Sequence, residues 1–143
     1  MLAENTVLTG RRAITRSYAK INLTLDVLSK RENGYHDIKM IMQTVSLFDL
    51  ILVDKTHRGI SISTNLPYLP CNEKNIAYKA ADAFFKATGI RGGAKIVIHK
   101  NIPVAAGLAG GSGNCAAVLT AINMLHGNPL SNDELMHIGA SLG

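Results

Sequence analysis

With 143 residues, 47% of them hydrophobic and 17% charged, the chain is long enough to bury a core and has the balance of an ordinary soluble domain. Aromatic residues make up only 5% and Trp is absent, which leaves too few rings for a stacking platform on single-stranded nucleic acid. The formal charge of +5 favours anionic partners, phosphates foremost, while the Lys and Arg residues are scattered rather than gathered into a nucleic-acid stripe.

Residues 1–12 are polar and unpatterned and are expected to form a flexible tail or a weakly held edge, without the basic start or apolar run of a leader. From Ser17 to Val27 the chain alternates. Ala19, Ile21, Leu23, Leu25 and Val27 fall on one side and Tyr18, Lys20, Asn22, Thr24 and Asp26 on the other, which predicts a strand with one buried face. The polar stretch from Lys30 to Asp37, with Asn33-Gly34 inside it, predicts a turn. Apolar runs at Ile38 to Phe48, Leu50 to Val53 and Gly59 to Ser63 predict further strands.

Pro67 and Pro70 then mark a loop. Asn72 offers a cap to a helix with Ile76, Ala77, Ala80, Ala81 and Phe84 on its inner face, ended by Gly89. Lys95 to Lys100 predicts a strand, followed by the glycine-rich segment Pro103 to Gly113 and a helix from about Asn114 to His126, closed by Gly127 and Pro129. Ser131 with Glu134 predicts a capping box opening a last helix. The order of elements gives an α+β fold in one domain, 1–143, strands first and helices interleaved late.

Two features bear on location. Cys71 and Cys115 are far apart, match no metal spacing, and read as reduced packing cysteines of a cytoplasmic protein. Asn101 to Asn132 holds no Lys, Arg, Asp or Glu, but Pro103, several glycines and sparse large apolar residues argue for a buried loop and helix rather than a membrane span.

The segment Ile102-Pro-Val-Ala-Ala-Gly-Leu-Ala-Gly-Gly-Ser-Gly-Asn114 lies between a predicted strand and a predicted helix. Small residues there let backbone N–H groups approach phosphate oxygens, glycines supply the positive φ of an anion nest, and the helix start adds unpaired donors. Small residues also permit close helix packing, and composition alone leaves both readings open. The segment is neither a Walker A loop nor a dinucleotide fingerprint.

Pro103-Val-Ala-Ala-Gly-Leu-Ala-Gly-Gly-Ser-Gly-Asn-Cys-Ala-Ala117 resembles the second motif of the GHMP kinases, Pro-x-x-x-Gly-Leu-Gly-(Gly)-Ser-Ser-x-Ala-Ala. Ala109 stands where that pattern has glycine, and Gly113 where it has a second serine. Tyr18-Ala-Lys-Ile-Asn-Leu23 and Arg31-Glu-Asn-Gly-Tyr-His36 are similar to the motifs Ala-Lys-(Ile/Leu)-Asn-Leu and Arg-x-(Asp/Asn)-Gly-Tyr-His of the branch that acts on diphosphocytidyl-methylerythritol. Asn75, in Glu73-Lys-Asn-Ile76, matches Asp/Glu-x-Asn-(Leu/Ile), although a helix cap explains it equally well. The resemblance runs from about Arg16 to Gly143.

That resemblance implies the GHMP kinase N-terminal domain, related to a domain of ribosomal protein S5, and ATP-dependent phosphorylation of the 2-hydroxyl of 4-diphosphocytidyl-2-C-methylerythritol in non-mevalonate isoprenoid synthesis. ATP and Mg²⁺ are the implied cofactors. Pro103, Val104, Ala105, Ala106, Gly107, Leu108, Ala109, Gly110, Gly111, Ser112 and Gly113 would cradle the triphosphate, Ser112 would also touch Mg²⁺, and Asn75 would lie near adenine. Lys20 would be catalytic at the transferring group. Asn22, Tyr35 and His36 would hold the acceptor, Tyr35 stacking on cytosine and His36 bonding its edge. Without the resemblance, Lys20 and Asn22 are a cation and an amide about 7 Å apart on one strand face, either a solvated face or a pair able to hold an anion or hydroxyl between them, and Tyr35-His36 a pair packing over a turn.

The family's catalytic aspartate follows the last helix in Leu-Gly-Ala-Asp-Val-Pro, whereas this sequence closes on Ser141-Leu-Gly143. The resemblance therefore implies the N-terminal part of a longer enzyme, lacking that aspartate and a second domain, and expected not to turn over alone. Its partners would be a small cytidine-linked substrate and that second domain, with no specific nucleic acid and no membrane. Two alternatives are another GHMP kinase, of homoserine or mevalonate type, and a basic RNA-binding domain of the S5 kind.

Overall fold

The computed structural model describes residues 3–32 and 34–143. The expected turn at Asn33-Gly34 lies partly outside these residues, since Asn33 is not among them; Gly34 has φ 87°, which glycine adopts without penalty.

The elements run β1 (Thr6–Thr9), β2 (Arg12–Lys30), β3 (His36–Thr56), β4 (Gly59–Thr64), α1 (Ile76–Thr88), β5 (Gly93–His99), α2 (Gly110–Leu125) and α3 (Asn132–Leu142). One sheet has the order β1-β2-β3-β5-β4. Its pairs are antiparallel except β4 with β5, which run parallel and so need the crossover that α1 supplies. Of the first twelve residues, Thr6–Thr9 take the edge form: β1 pairs with β2 along Thr6↔Thr15 to Thr9↔Arg12.

All three helices are tied into one core. Ala13, Ile51, Val53, Ile96 and Ile98 from the sheet meet Ala77, Ala80, Ala81 and Phe84 of α1 and Val118, Leu119 and Ile122 of α2. The alanines leave little bulk between α1 and α2, and Phe84, fully buried, plugs the core beside the His126 ring at the end of α2. Truncating such a plug costs about 3–5 kcal/mol.

Three expectations change. The runs Ile38 to Phe48 and Leu50 to Val53 form one strand, because Asp49, which divides them, is itself buried in the sheet. The cap of α1 is Asn75, whose Oδ1 accepts from Ala77 N at 3.0 Å, while Asn72 holds the preceding turn by accepting from Lys74 N. The third concerns β2. Ala13, Thr15, Ser17 and Ala19 face the helices, but Leu23, Leu25 and Val27 are exposed. The apolar alternation continues beyond the point where a helix covers it, so the outer half of β2 and its partner stretch of β3 project as a two-stranded arm.

Candidate functional site

α2 begins at Gly110, four residues before its expected start, so Gly110, Gly111, Ser112 and Gly113 form its first turn. Its N-cap residue, Ala109, sits at φ 61° and makes no side-chain cap. The first amides of a helix have no partner inside it, so an uncapped start leaves them open to an anion, with the positive end of the helix dipole behind them. Ala105 (φ 58°) and Gly107 (φ 72°) add left-handed backbone to the approach, the conformation from which anion nests are built.

A cavity of about 470 Å³ opens over this turn. Every residue from Pro103 to Ser112 lines it, with Asn75 and Ile76 from the start of α1 and Ile98 and Lys100 from the end of β5. Gly113 is turned instead toward β2. Among the described residues no carboxylate lines the cavity, and no cluster of three His, Cys, Asp or Glu is placed to hold a metal. Ser112 is exposed on the first turn of α2. Both ends of the Asn75 side chain are committed, Oδ1 to Ala77 N and Nδ2 to the Pro70 carbonyl at 2.9 Å, so Asn75 offers the cavity a fixed wall rather than free bonding groups.

Lys20 is bound to this loop through its backbone. The β2–β3 ladder breaks after Tyr18↔Phe48 and resumes at Lys20↔Thr44. The Lys20 N–H turns from β3 to the loop and donates to the Leu108 carbonyl at 3.1 Å. The Lys20 ammonium donates to Asn22 Oδ1 at 3.1 Å, so the two side chains meet directly.

Tyr35 and His36 do not line the cavity. They stand at the tip of the arm, where Tyr35 is 75% exposed and its carbonyl accepts from Arg31 N at 2.6 Å. By strand rise the tip lies roughly 25 Å of contour from Asn22, and register shifts at Asn22/Thr24 and Val27/Ser29 bend the ribbon between them. Asp37 organises the tip by accepting from Arg31 and from Ser29 Oγ. The Arg31 bond first, then that of Ser29, hold its carboxyl below the usual carboxylate range.

A network that sequence reasoning missed anchors the loop from below. Asp49 is fully buried and accepts from the Asn101 and Ile102 amides, each at 2.8 Å, and from the Lys100 ammonium. Asn65 grips the Lys100 backbone from both sides, accepting from its N–H at 2.7 Å and donating to its carbonyl at 3.1 Å. The available signal was an acid inside an apolar run, Phe48-Asp49-Leu50.

Residues 75–143 match the family model described as the GHMP kinases N terminal domain. The chain is 49% identical over 128 residues to the 4-diphosphocytidyl-2-C-methyl-D-erythritol kinase of Clostridium botulinum (strain Alaska E43 / Type E3), covering 90% of this chain and 46% of that protein. It is 50% identical over 131 residues to the kinase of the same name from Caldicellulosiruptor saccharolyticus, with 91% and 45% covered. A crystal structure of 4-(cytidine 5'-diphospho)-2C-methyl-D-erythritol kinase superposes with a TM-score of 0.79 at 35% identity, over 91% of this chain and 46% of that one.

The chain has the fold of the GHMP kinase N-terminal domain.

It spans about half the length of the curated relatives it matches. No helix among the described residues is long and apolar enough to cross a membrane. Within this fold both departures from the loop motif acquire a structural account. Ala109 takes the left-handed conformation that the motif's glycine would adopt more easily. At Gly113 a Cβ would meet Ser17 Oγ well inside van der Waals contact, so a side chain there would require that hydroxyl or the helix to shift.

Proposed function

We propose that the chain carries the nucleotide-binding part of a kinase that transfers the γ-phosphoryl group of ATP to the 2-hydroxyl of 4-diphosphocytidyl-2-C-methylerythritol. The observation that carries this reading is the uncapped start of α2 beneath a left-handed small-residue loop, with Lys20 tied to that loop by its backbone. The names of the relatives support the choice of acceptor, as do Tyr35 and His36 on the exposed arm.

Phosphoryl transfer is catalysed mainly by positioning and charge stabilisation. The Gly110, Gly111 and Ser112 amides hold the phosphates, and Asn75 with Ile76 walls the base. Lys20 places a positive charge at the transferring group, and Asn22 orients both that ammonium and the acceptor. Mg²⁺ keeps most of its ligands as water and phosphate oxygen in such sites; the exposed Ser112 hydroxyl is the protein oxygen that fits it, and the ion would neutralise phosphate charge. Tyr35 stacks on the cytosine and His36 bonds its edge.

Calorimetric titration of the chain with MgATP, the cytidine-linked methylerythritol, homoserine and mevalonate tests the reading. Binding is expected for MgATP and the cytidine compound. A response to homoserine or mevalonate in place of the cytidine compound would overturn the acceptor, and sub-micromolar RNA binding insensitive to ATP would displace the kinase reading altogether.

A further inference from the structure

We infer that Gly113 is a positioning residue: its interlock with Ser17 fixes how closely the strand bearing Lys20 approaches the phosphate loop. Ser17 is 1% exposed on the face of β2 that packs under α2, and its Oγ has no hydrogen-bond partner. A buried hydroxyl left unpaired is unfavourable, so bonding does not explain its place. Its nearest constraint is steric. A Cβ on Gly113 would collide with Ser17 Oγ but would stand 3.8 Å from Ser17 Cβ, an ordinary contact. The backbone of α2 therefore lies against the Ser17 hydroxyl, and a side chain at 113 would force that hydroxyl or the helix to shift.

The interlock is one side of a small ring. From Ser17 the strand runs to Lys20, whose N–H bonds the Leu108 carbonyl at 3.1 Å. From Leu108 the chain passes to Ala109, whose carbonyl accepts from Gly113 N at 2.8 Å, and Gly113 returns to Ser17. Two cross-links, one steric and one a hydrogen bond, thus join β2 to the loop. Prying β2 away at Gly113 strains the other cross-link, the single Lys20–Leu108 bond. The role of Lys20 in transfer rests on the kinase reading; the interlock itself does not.

Amide hydrogen exchange by NMR on the whole chain separates the two. Gly113→Ala is expected to speed exchange at the Lys20 amide by about tenfold while the Leu52 and Val97 amides in the β3–β5 ladder keep their protection. Ser17→Ala alone leaves Lys20 protected. Ser17→Ala combined with Gly113→Ala returns the Lys20 amide to within about threefold of wild type, because only the colliding oxygen has gone. A merely structural contact would lower protection throughout and show no selective rescue.

Unchanged Lys20 exchange in Gly113→Ala, or no recovery in the double variant, overturns the inference. Should Gly113→Ala fail to fold, recovery of the folded state by Ser17→Ala supports the interlock and its failure sinks it. Titration of the same samples with tripolyphosphate reads the loop separately. No binding by the wild type would remove the phosphate reading and leave the interlock to be judged by exchange.

Discussion

The Lys20 N–H donates to the Leu108 carbonyl across 3.1 Å, joining the second strand of the sheet to the glycine-rich loop at the point where the β2–β3 ladder is broken. The bond belongs to the backbone and the ammonium is left for other work, where it meets Asn22 Oδ1. Position and charge at Lys20 are therefore separable by mutation.

Lys20→Met is expected to keep the fold and the loop, because the backbone bond survives. MgATP affinity, measured by calorimetry, should fall by less than about tenfold, as for loss of one partly solvated charge. Abolished binding or a large loss of thermal stability would show that the side chain holds the nucleotide or the fold, contrary to its assignment to the transferring group.

Ala109→Gly should stabilise the chain. The left-handed conformation costs a non-glycine residue about 1–2 kcal/mol, and glycine gives back about 0.4–1 kcal/mol through the entropy of the unfolded chain. A net gain of about 0.5–1 kcal/mol follows, read as a rise of roughly 2–4 °C in the thermal midpoint. A lower midpoint would mean that the alanine methyl makes packing contacts that outweigh its backbone strain.

These residues show how far local pattern reaches. The capping box at Ser131 and Glu134, the glycine ending α1 and the inner face of α1 were legible because each is set by residues within one or two turns. The loop's small residues and its place between β5 and α2 were legible for the same reason. The early start of α2 was not, since glycines at 110, 111 and 113 argue against helix by propensity and tertiary packing against Ile102, Lys100 and Ser17 overrides them. Nor was the exposure of Leu23, Leu25 and Val27, because alternation shows that a strand has an apolar face but not where the covering helices stop. The Asp49 network links positions about fifty residues apart, which no periodicity in the sequence reports.

Asp49→Ala is expected to be severely destabilising. It would leave the Lys100 ammonium buried beside Gly110 without a counter-ion and the Asn101 and Ile102 amides without an acceptor. Removing one partner of a buried pair costs about 3–5 kcal/mol. Asp49→Ala with Lys100→Met should recover part of the loss in urea unfolding, but not all, since the two amides stay unpaired. Full additivity of the two single losses would show that the pair is not coupled.

The chain of residues 1–143 should show no kinase turnover above background in an ADP-release assay, even where it binds MgATP. An acceptor hydroxyl needs a group to take or orient its proton, and among the described residues no carboxylate lines the cavity. Three acids of the sheet and arm are engaged elsewhere: Asp49 with Lys100, Asp54 with Arg12, and Asp37 with Arg31 and Ser29. Asp82 pairs with Lys86 on the surface and Glu134 closes the α3 capping box. On the proposed reading Lys20 supplies charge rather than a base. Missing one member of a cooperating catalytic set lowers rates by roughly 10³ or more. Turnover by these residues alone, lost again in Lys20→Met, would falsify the absence of a base. The acid responsible would then be found among Asp26, Glu32, Glu73 and Asp133 by single replacement with the matching amide.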